Sequence, residues 1–375
     1  MADQKTARIR KMFPGGNTAY GFYSFYDQII APDARRLIII KGGPGVGKSS
    51  FMRHIAGEMA RRGFAVEQMH CSADNDSLDG VVFPEIGVAM IDGTAPHVVD
   101  PKNPGCVDEI IHLGDFWDEE GMVKGKDEII ALNREVGRLF ARAYRFLRAA
   151  KEIRDAWSAA NAEGLHAGQA NQRAAEIIAR LCGQRPVASQ PGRIRRLFAS
   201  ALTPDGPRHY LSSIFGEAKD LIVVKGAPGT GKSTLLGKAA LAAVERGLAV
   251  ECYHCAFDPE RLEHIYLPEL EAGLVTVNAY HDYGAERAAG VLDMNECRSA
   301  ETAAKYAARN EDDRELYDAL IGRAFACLRK AKETHDLMED YYVPNMDFAA
   351  IDEARDETLA RILKYAGILP ASVAM

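Results

Sequence analysis

Leu37 to Ser49 reads LIIIKGGPGVGKS, and Leu221 to Ser233 reads LIVVKGAPGTGKS. In each stretch a short apolar run and a lysine enter a glycine, four residues intervene, and Gly-Lys-Ser closes the pattern. G-x-x-x-x-G-K-[ST] directly after a strand-like run is the spacing of a phosphate-binding P-loop. Glycines let the backbone wrap a phosphate with successive N–H groups pointing inward, and the following helix adds its positive N-terminal end. The expected nucleotide-binding residues are Gly42, Gly43, Pro44, Gly45, Val46, Gly47, Lys48, Ser49 and Ser50. In the second copy they are Gly226, Ala227, Pro228, Gly229, Thr230, Gly231, Lys232, Ser233 and Thr234. Lys48 and Lys232 are expected to reach the β- and γ-phosphates of ATP, and Ser49 and Ser233 to hold Mg²⁺.

Downstream of the first loop, Phe51, Ile55 and Met59 repeat at helical spacing and Gly63 ends the helix. Residues 64–70 read as a second strand and 88–91 as a third, closing on Asp92. An apolar run ending on an aspartate has the form of a Walker B segment, which makes Asp92 a candidate Mg²⁺ ligand and catalytic carboxylate. Gly93 stands where hydrolytic members usually carry glutamate. Residues 127–162 read as a long helix with Leu132, Val136, Leu139, Ala143 and Leu147 on one stripe. The fold class expected is α/β, two tandem P-loop NTPase domains. Each is a mostly parallel sheet with flanking helices and a C-terminal helical extension. The turn-rich stretch GQRPVASQPG, Gly183 to Gly192, places the boundary between domains 1–185 and 186–375.

At an offset of 184 residues the second half repeats the first. Arg62-Gly63 meets Arg246-Gly247, His70-Cys71 meets His254-Cys255, Asp74 meets Asp258, and His97 meets His281; downstream, where the offset has fallen to 181, RAYRFLRAAKEIRD at 142–155 matches RAFACLRKAKETHD at 323–336. This is duplication of a whole domain, an intramolecular pseudo-dimer. The repeated His-Cys-x-x-Asp lies just past the second strand of each half, where ligands of open α/β sheets bind. Asp74 and Asp258 are therefore candidate catalytic residues, organising Mg²⁺ water or acting as general base. The competing reading has His70 and His254 closing the strand ends while the cysteines fill the core. Cys252, His254 and Cys255 invite a zinc site, but strand alternation divides them between faces and no second ligand pair follows.

The halves differ where Asp92 stands: the second run continues Val275-Thr276-Val277-Asn278 with no closing aspartate, Asp282 being a substitute only after a local shift. The second site is thus expected to bind nucleotide and turn it over poorly. Arg142, Arg148, Lys151, Arg323, Arg329 and Lys332 read as solvated helix faces, with an arginine finger from one half to the other as the alternative. Tyr20, Phe22, Tyr23, Phe25 and Tyr26 read as an N-terminal helix packing on the core, or else as an aromatic wall for a base.

Length and composition agree with two ordinary domains: 375 residues, 47% hydrophobic and 26% charged. A net charge of −7 argues against a broad nucleic-acid surface. No apolar run approaches the ~18 residues that cross a membrane. The opening MADQKTARIRK lacks the apolar segment of a secretory signal, and seven scattered cysteines fit a reducing cytoplasm.

FPGGNTAYGFYSFYD, KGGPGVGKSS, HCSADNDSLDGVVFPE and IDGTAPHVVDPKNPG together resemble a family of bacterial tandem P-loop proteins. Its members are described as ATPases or ATP-binding proteins and sometimes as nucleotide kinases. The resemblance spans both halves and implies Mg-ATP binding at Gly42–Ser49 and Gly226–Ser233; it supplies no substrate. Three functions follow as expectations. The first is an ATPase whose cycle drives a conformational step on a protein partner. The second is a kinase whose acceptor pocket includes His97, Asp100 and the Gly93–His97 loop. The third is a nucleotide-sensing module. The absence of an N-K-x-D sequence favours ATP over GTP.

Overall fold

In the computed structural model, which describes residues 7–368, both halves trace the same succession of elements. The first half runs β1 (Ile9–Met12), β2 (Gly15–Thr18), β3 (Gly21–Ser24), β4 (Arg36–Lys41), α1 (Lys48–Arg61), β5 (Val66–His70), β6 (Leu78–Phe83), β7 (Val88–Asp92) and β8 (Asp108–His112). Three helices follow, α2 (Glu119–Lys124), α3 (Lys126–Ala162) and α4 (Ala167–Cys182). The second half runs β9 (Ile194–Phe198), β10 (Ser200–Thr203), β11 (Gly206–His209), α5 (Leu211–Phe215), β12 (Asp220–Lys225), α6 (Lys232–Glu245), β13 (Val250–His254), β14 (Leu262–Leu267), β15 (Ala272–Thr276) and β16 (Gly290–Asp293). It ends in α7 (Ala300–Lys305), α8 (Ala307–Tyr342) and α9 (Phe348–Tyr365). Residues 1–6, the start of MADQKTARIRK, lie outside the described residues.

Each half builds one six-stranded sheet, in the orders β1-β5-β6-β7-β4-β8 and β9-β13-β14-β15-β12-β16. Five strands of each run the same way, while β6 and β14 are reversed against both neighbours. The proteins's second and third expected strands are therefore joined by an antiparallel strand and not by a helical crossover. Asp79 and Gly80 interrupt the apolar run Val81-Val82-Phe83 and hide β6 in the sequence, although all six of its residues are buried. Parallel pairing places Asp92 opposite Ile40, at the end of the strand that enters the first glycine loop.

The aromatic stretch after Phe13 is a hairpin, β2 with β3, and not a helix. Thr18 fixes the turn: its Oγ1 donates to Gly21 O at 2.8 Å and accepts from Tyr20 N–H at 3.0 Å. Thr203 makes the matching bond to Gly206 O in the hairpin β10–β11.

The duplication separates the two sheets near residue 185, but the compact units follow a different division. One unit comprises Ser24–Phe140 with the segments before Gly15 and from Arg329 on; the other comprises Gly15–Tyr23 and Ala141–Leu328. In the first unit Phe51, Met52, Ile55 and Met59 of α1 share a core with Ile351, Ile362 and Leu363 of α9. In the second, Leu235, Leu236, Ala239 and Ala243 of α6 share a core with Ala174, Ile177 and Leu181 of α4. Each sheet's first helix is thus covered by a helix encoded in the opposite half. Each buried Ile or Leu on these helices contributes about 1.5–3 kcal/mol, so α4 and α9 are integral to the cores they complete.

All seven cysteines are unpaired thiols. No helix among the described residues is long and apolar enough to cross a membrane.

Candidate functional site

Both glycine loops sit between a buried strand and a helix that starts on the loop's lysine. In the first unit α1 begins at Lys48 behind Gly47, which holds φ +87° as the N-cap. That left-handed conformation suits glycine alone at low cost, and it leaves the first turn of α1 without a side-chain cap. Gly231 repeats this in front of α6 with φ +84°. The leading N–H groups of a helix have no partner within the helix, so both loops present donors at a positive helix end.

Lys48 Nζ donates to Gly42 O at 2.9 Å and Gly43 O at 2.7 Å, folding back over its own loop. Lys232 Nζ does the same to Gly226 O and Ala227 O at 2.6 and 2.9 Å. Behind each lysine the serine is anchored to the reversed strand: Ser49 Oγ accepts from Leu78 N–H at 2.9 Å, and Ser233 Oγ from Leu262 N–H at 3.0 Å. Each serine keeps its own hydroxyl hydrogen and a second lone pair.

The surroundings of the two lysines diverge. Asp92 Oδ2 stands 3.6 Å from Lys48 Nζ, and its Oδ1 accepts from Thr94 N–H at 2.8 Å. Asp79, on β6, is buried beside it; burial raises its carboxyl pKa, with the Asp92 charge adding to the shift and His97 opposing it. His97 stacks on Tyr26 at 4.5 Å, whereas Asp100 pairs with Lys41 at 3.1 Å. In the second unit Thr276 replaces Asp92, and its hydroxyl donates to the backbone carbonyl of Glu263. Among the described residues no carboxylate lies within ion-pair reach of Lys232. Its ammonium is pushed down to about 8 by burial, the Arg154 charge adding to the effect. Asp282 is exposed and forms no ion pair among the described residues.

The repeated His-Cys-x-x-Asp forms a closed turn in both units. His70 Nδ1 bonds Asn75 O at 3.2 Å and His254 Nδ1 bonds Pro259 O at 2.6 Å. Burial lowers both imidazoles, His70 to about 4, so they stay neutral near pH 7. Asp74 Oδ2 accepts from Ser77 Oγ at 2.9 Å and faces Lys332 at 3.7 Å. Asp258 Oδ2 accepts from Arg261 Nε at 2.8 Å and faces Lys151 at 3.7 Å. Both aspartates thus organise turns and bind lysines of the long helices. Of the basic residues read from those helices, Arg142 and Arg323 lie over the Phe146 ring, each at 5.9 Å.

Cys252 and Cys255 fall in separate core clusters, and His254 closes its turn, so the three do not assemble as zinc ligands. Two other groups have metal-ligand spacing, Glu263-His264-His281 and His335-Asp336-Glu339. His264 Nδ1 accepts the Thr276 N–H at 3.2 Å, so its hydrogen sits on Nε2 and blocks that atom as a ligand. His281 Nε2 lies 3.0 Å from Thr276 O and carries its hydrogen there too. The second group is a partly exposed set on one face of α8.

Sequence reading passed over Asp79, Glu263 and Arg154. The first two occupy matching positions and are both acids, a signal available in the duplication. The aromatic residues read as one wall divide instead, Tyr20, Phe22 and Tyr23 in the second unit and Phe25 and Tyr26 in the first. No protein-family model matches this chain, and no curated protein or solved structure matches it either.

Proposed function

We propose that this chain is a Mg-ATP-binding tandem P-loop NTPase, with the Lys48 loop hydrolysing ATP and the Lys232 loop serving a regulatory role. The observation that carries this reading is the repeated lysine and serine geometry. Two sequences that have drifted apart elsewhere hold the ammonium on the first two loop carbonyls and the serine on the reversed strand. Such an ammonium is poised to leave weak carbonyl partners for a phosphate, the charge-assisted bond being roughly twice as strong.

The first unit has the fuller set of groups for Mg²⁺. Asp79 and Asp92 are mutually repelling carboxylates in a poorly solvated place, a repulsion that a divalent cation relieves. Ser49 and Asp92 are the ligands proposed here, and Ser233 is their counterpart in the second unit. When bound, Mg²⁺ neutralises charge that develops on the β- and γ-phosphates. Lys48 adds positive charge to the same oxygens, and the helix end supplies N–H donors that need no reorganisation. Asp79, whose carboxyl pKa is raised by burial, is the group we propose to accept a proton from an attacking water.

A second reading, phosphotransfer to a hydroxyl acceptor, is favoured by the acid kept at Asp79 and Glu263 and the absence of a glutamate after Asp92. Phosphate release from Mg-ATP without added acceptor, by wild type, Lys48→Ala and Lys232→Ala, separates these readings. Release abolished by Lys48→Ala and only modulated by Lys232→Ala supports the proposal. Equal losses show two catalytic loops, and tight ATP binding with no release directs the search to acceptors.

A further inference from the structure

A cavity of about 590 Å³ lies in the first unit, between residues 115–118, which follow β8, and residues 344–347, which join α8 to α9. Small-molecule sites measure ~300–1,000 Å³. Asp118 N–H donates to Asn345 O and Asp347 N–H to Phe116 O, each at 2.8 Å, which clips the two segments together. Between these bonds Trp117 stands opposite Met346 in an antiparallel bridge. Residues opposite one another in such a pair project their side chains to the same face, so the indole and the thioether share one wall. The indole is held by the His112 ring, edge to face at 5.7 Å. Gly114 also approaches it, since an added Cβ there would lie 2.7 Å from Trp117 Cη2.

Both lining segments run on into contact with the Lys48 loop. A Cβ built on Gly42 would lie 3.4 Å from Leu113 Cβ, and one on Gly47 would lie 3.8 Å from the Phe348 ring. The cavity thus adjoins the loop to which the phosphates are assigned. Its polar rim is rich in acceptors. Asp118 Oδ1 accepts from Glu120 N–H at 3.1 Å, and Asp347 Oδ1 from the N–H groups of Ala349 and Ala350, both at 3.1 Å. Asp115 Oδ1 bonds His112 Nδ1 at 2.8 Å. In all three carboxylates Oδ2 has no hydrogen-bond partner among the described residues.

A flat ring that stacks on an indole and carries an N–H donor answers both the wall and the rim. We propose that this cavity holds the base of the nucleotide bound at the Lys48 loop. The base is adenine, stacked on Trp117, with its exocyclic amine donating to a rim carboxylate. This inference rests on the phosphate reading of that loop. The second unit has no such wall. There Arg298 bridges Leu165 as Trp117 bridges Met346, and its guanidinium donates to Asn161 Oδ1 at 2.8 Å. An aromatic grip on the base in one unit alone agrees with unequal roles for the two loops.

The chain contains two tryptophans, Trp117 and Trp157. A full-length Lys232→Ala/Trp157→Phe chain therefore carries one indole and one intact glycine loop. Mg-ATP is expected to quench its fluorescence with the same saturation that calorimetry measures. Mg-tripolyphosphate, which has the phosphates without a base, should bind at the loop and leave the fluorescence unchanged. In the Lys232→Ala background, Trp117→Ala should weaken Mg-ATP about tenfold and Trp117→Phe less, while tripolyphosphate binds all these chains alike. Mg-ITP, whose base has a carbonyl oxygen in place of the amine, should bind at least fivefold more weakly than Mg-ATP. Circular dichroism and melting curves check that each variant is folded. Tight Mg-ATP binding without quenching, unchanged affinity in a folded Trp117→Ala chain, or parity of ITP with ATP overturns the base site. A parent chain that binds neither ATP nor tripolyphosphate overturns the phosphate reading itself, so the two failures are told apart.

Discussion

Lys151 Nζ lies 3.7 Å from Asp258 Oδ2, joining a helix of the first sequence half to a turn of the second. Lys332 and Asp74 repeat the contact in the other unit at 3.7 Å, but in a different setting. The Asp258 side chain is 4% exposed and also holds Arg261, whereas that of Asp74 is 36% exposed. Removing one member of a buried charge group costs about 3–5 kcal/mol, against ~0–1 for an exposed pair. Asp258→Ala should therefore lower the urea midpoint clearly and Asp74→Ala barely. Equal shifts would mean that burial does not decide the value of this contact.

Nucleotide binding to the second loop should take up a proton. Lys232 titrates at about 8 in the unliganded protein because burial and Arg154 disfavour its charge. A bound phosphate favours the charged ammonium and moves the pKa back up. Between those two values the complex holds more protons than the free protein, so at pH 8.5 binding draws protons from solution. Calorimetry of Mg-ATP binding in buffers of differing ionisation enthalpy measures the uptake. Lys232→Arg, which stays charged throughout, should abolish the part due to this loop.

Before any ligand binds, the same depressed pKa makes a second prediction with the opposite dependence. The unfolded chain keeps its lysine protonated to about 10.5, so between pH 8 and 10.5 it binds more protons here than the folded chain. This group's contribution to stability therefore rises with pH across that window. Comparing urea midpoints of wild type and Lys232→Met at pH 7.5 and 9.5 isolates it. The gap should narrow or invert in favour of wild type at the higher pH.

Gly229→Ala and Gly43→Ala should differ sharply. At Gly229 an added Cβ lies 2.1 Å from the Ser158 backbone carbonyl, and φ is +82°. At Gly43 the three atoms nearest an added Cβ all belong to the Tyr342 side chain, with no backbone atom among them, and φ is not in the left-handed region. Gly229→Ala is expected to cost more than the ~1 kcal/mol of an incompatible φ alone, seen as a lowered melting temperature. Gly43→Ala should remain folded.

Asp92→Asn, placed in a Lys232→Ala background so that one loop reports, should raise the Mg²⁺ needed for half-maximal ATP binding by about tenfold, since protein Mg²⁺ sites rest on one or two carboxylates. Thr276→Ala in a Lys48→Ala background should leave the Mg²⁺ requirement nearly unchanged, because the Thr276 hydroxyl is already committed to the Glu263 carbonyl. Binding of a fluorescent ATP analogue across a Mg²⁺ series measures both.

The glycine loops were legible because their information is local: Gly47 and Gly231 are needed for a left-handed turn that immediately precedes a helix. The long helix at 127–162 was legible from its stripe. β6 was hidden, since Asp79 and Gly80 break its apolar run and its burial comes from pairing on both sides. The hairpin at 15–24 was misread as a helix because five aromatics overshadowed the Thr18–Gly21 turn. Arg154 had no local mark at all. Its importance arises from where α3 carries it, beside a sheet built from residues around 220–276, and sequence spacing contains no record of that meeting.

The interleaving of the two units sets an order on the birth of this protein. A ribosome delivers the first sheet early, but the core around α1 lacks Ile351, Ile362 and Leu363 until α9 has been synthesised. The core around α6 has α4 waiting long before α6 itself appears. The unit whose sheet is translated second can thus close first, while the earlier sheet keeps an apolar helix face uncovered for most of translation. Nascent chains stalled before residue 348 should engage hydrophobic-surface chaperones through the α1 face, and that engagement should end once the last helix has emerged.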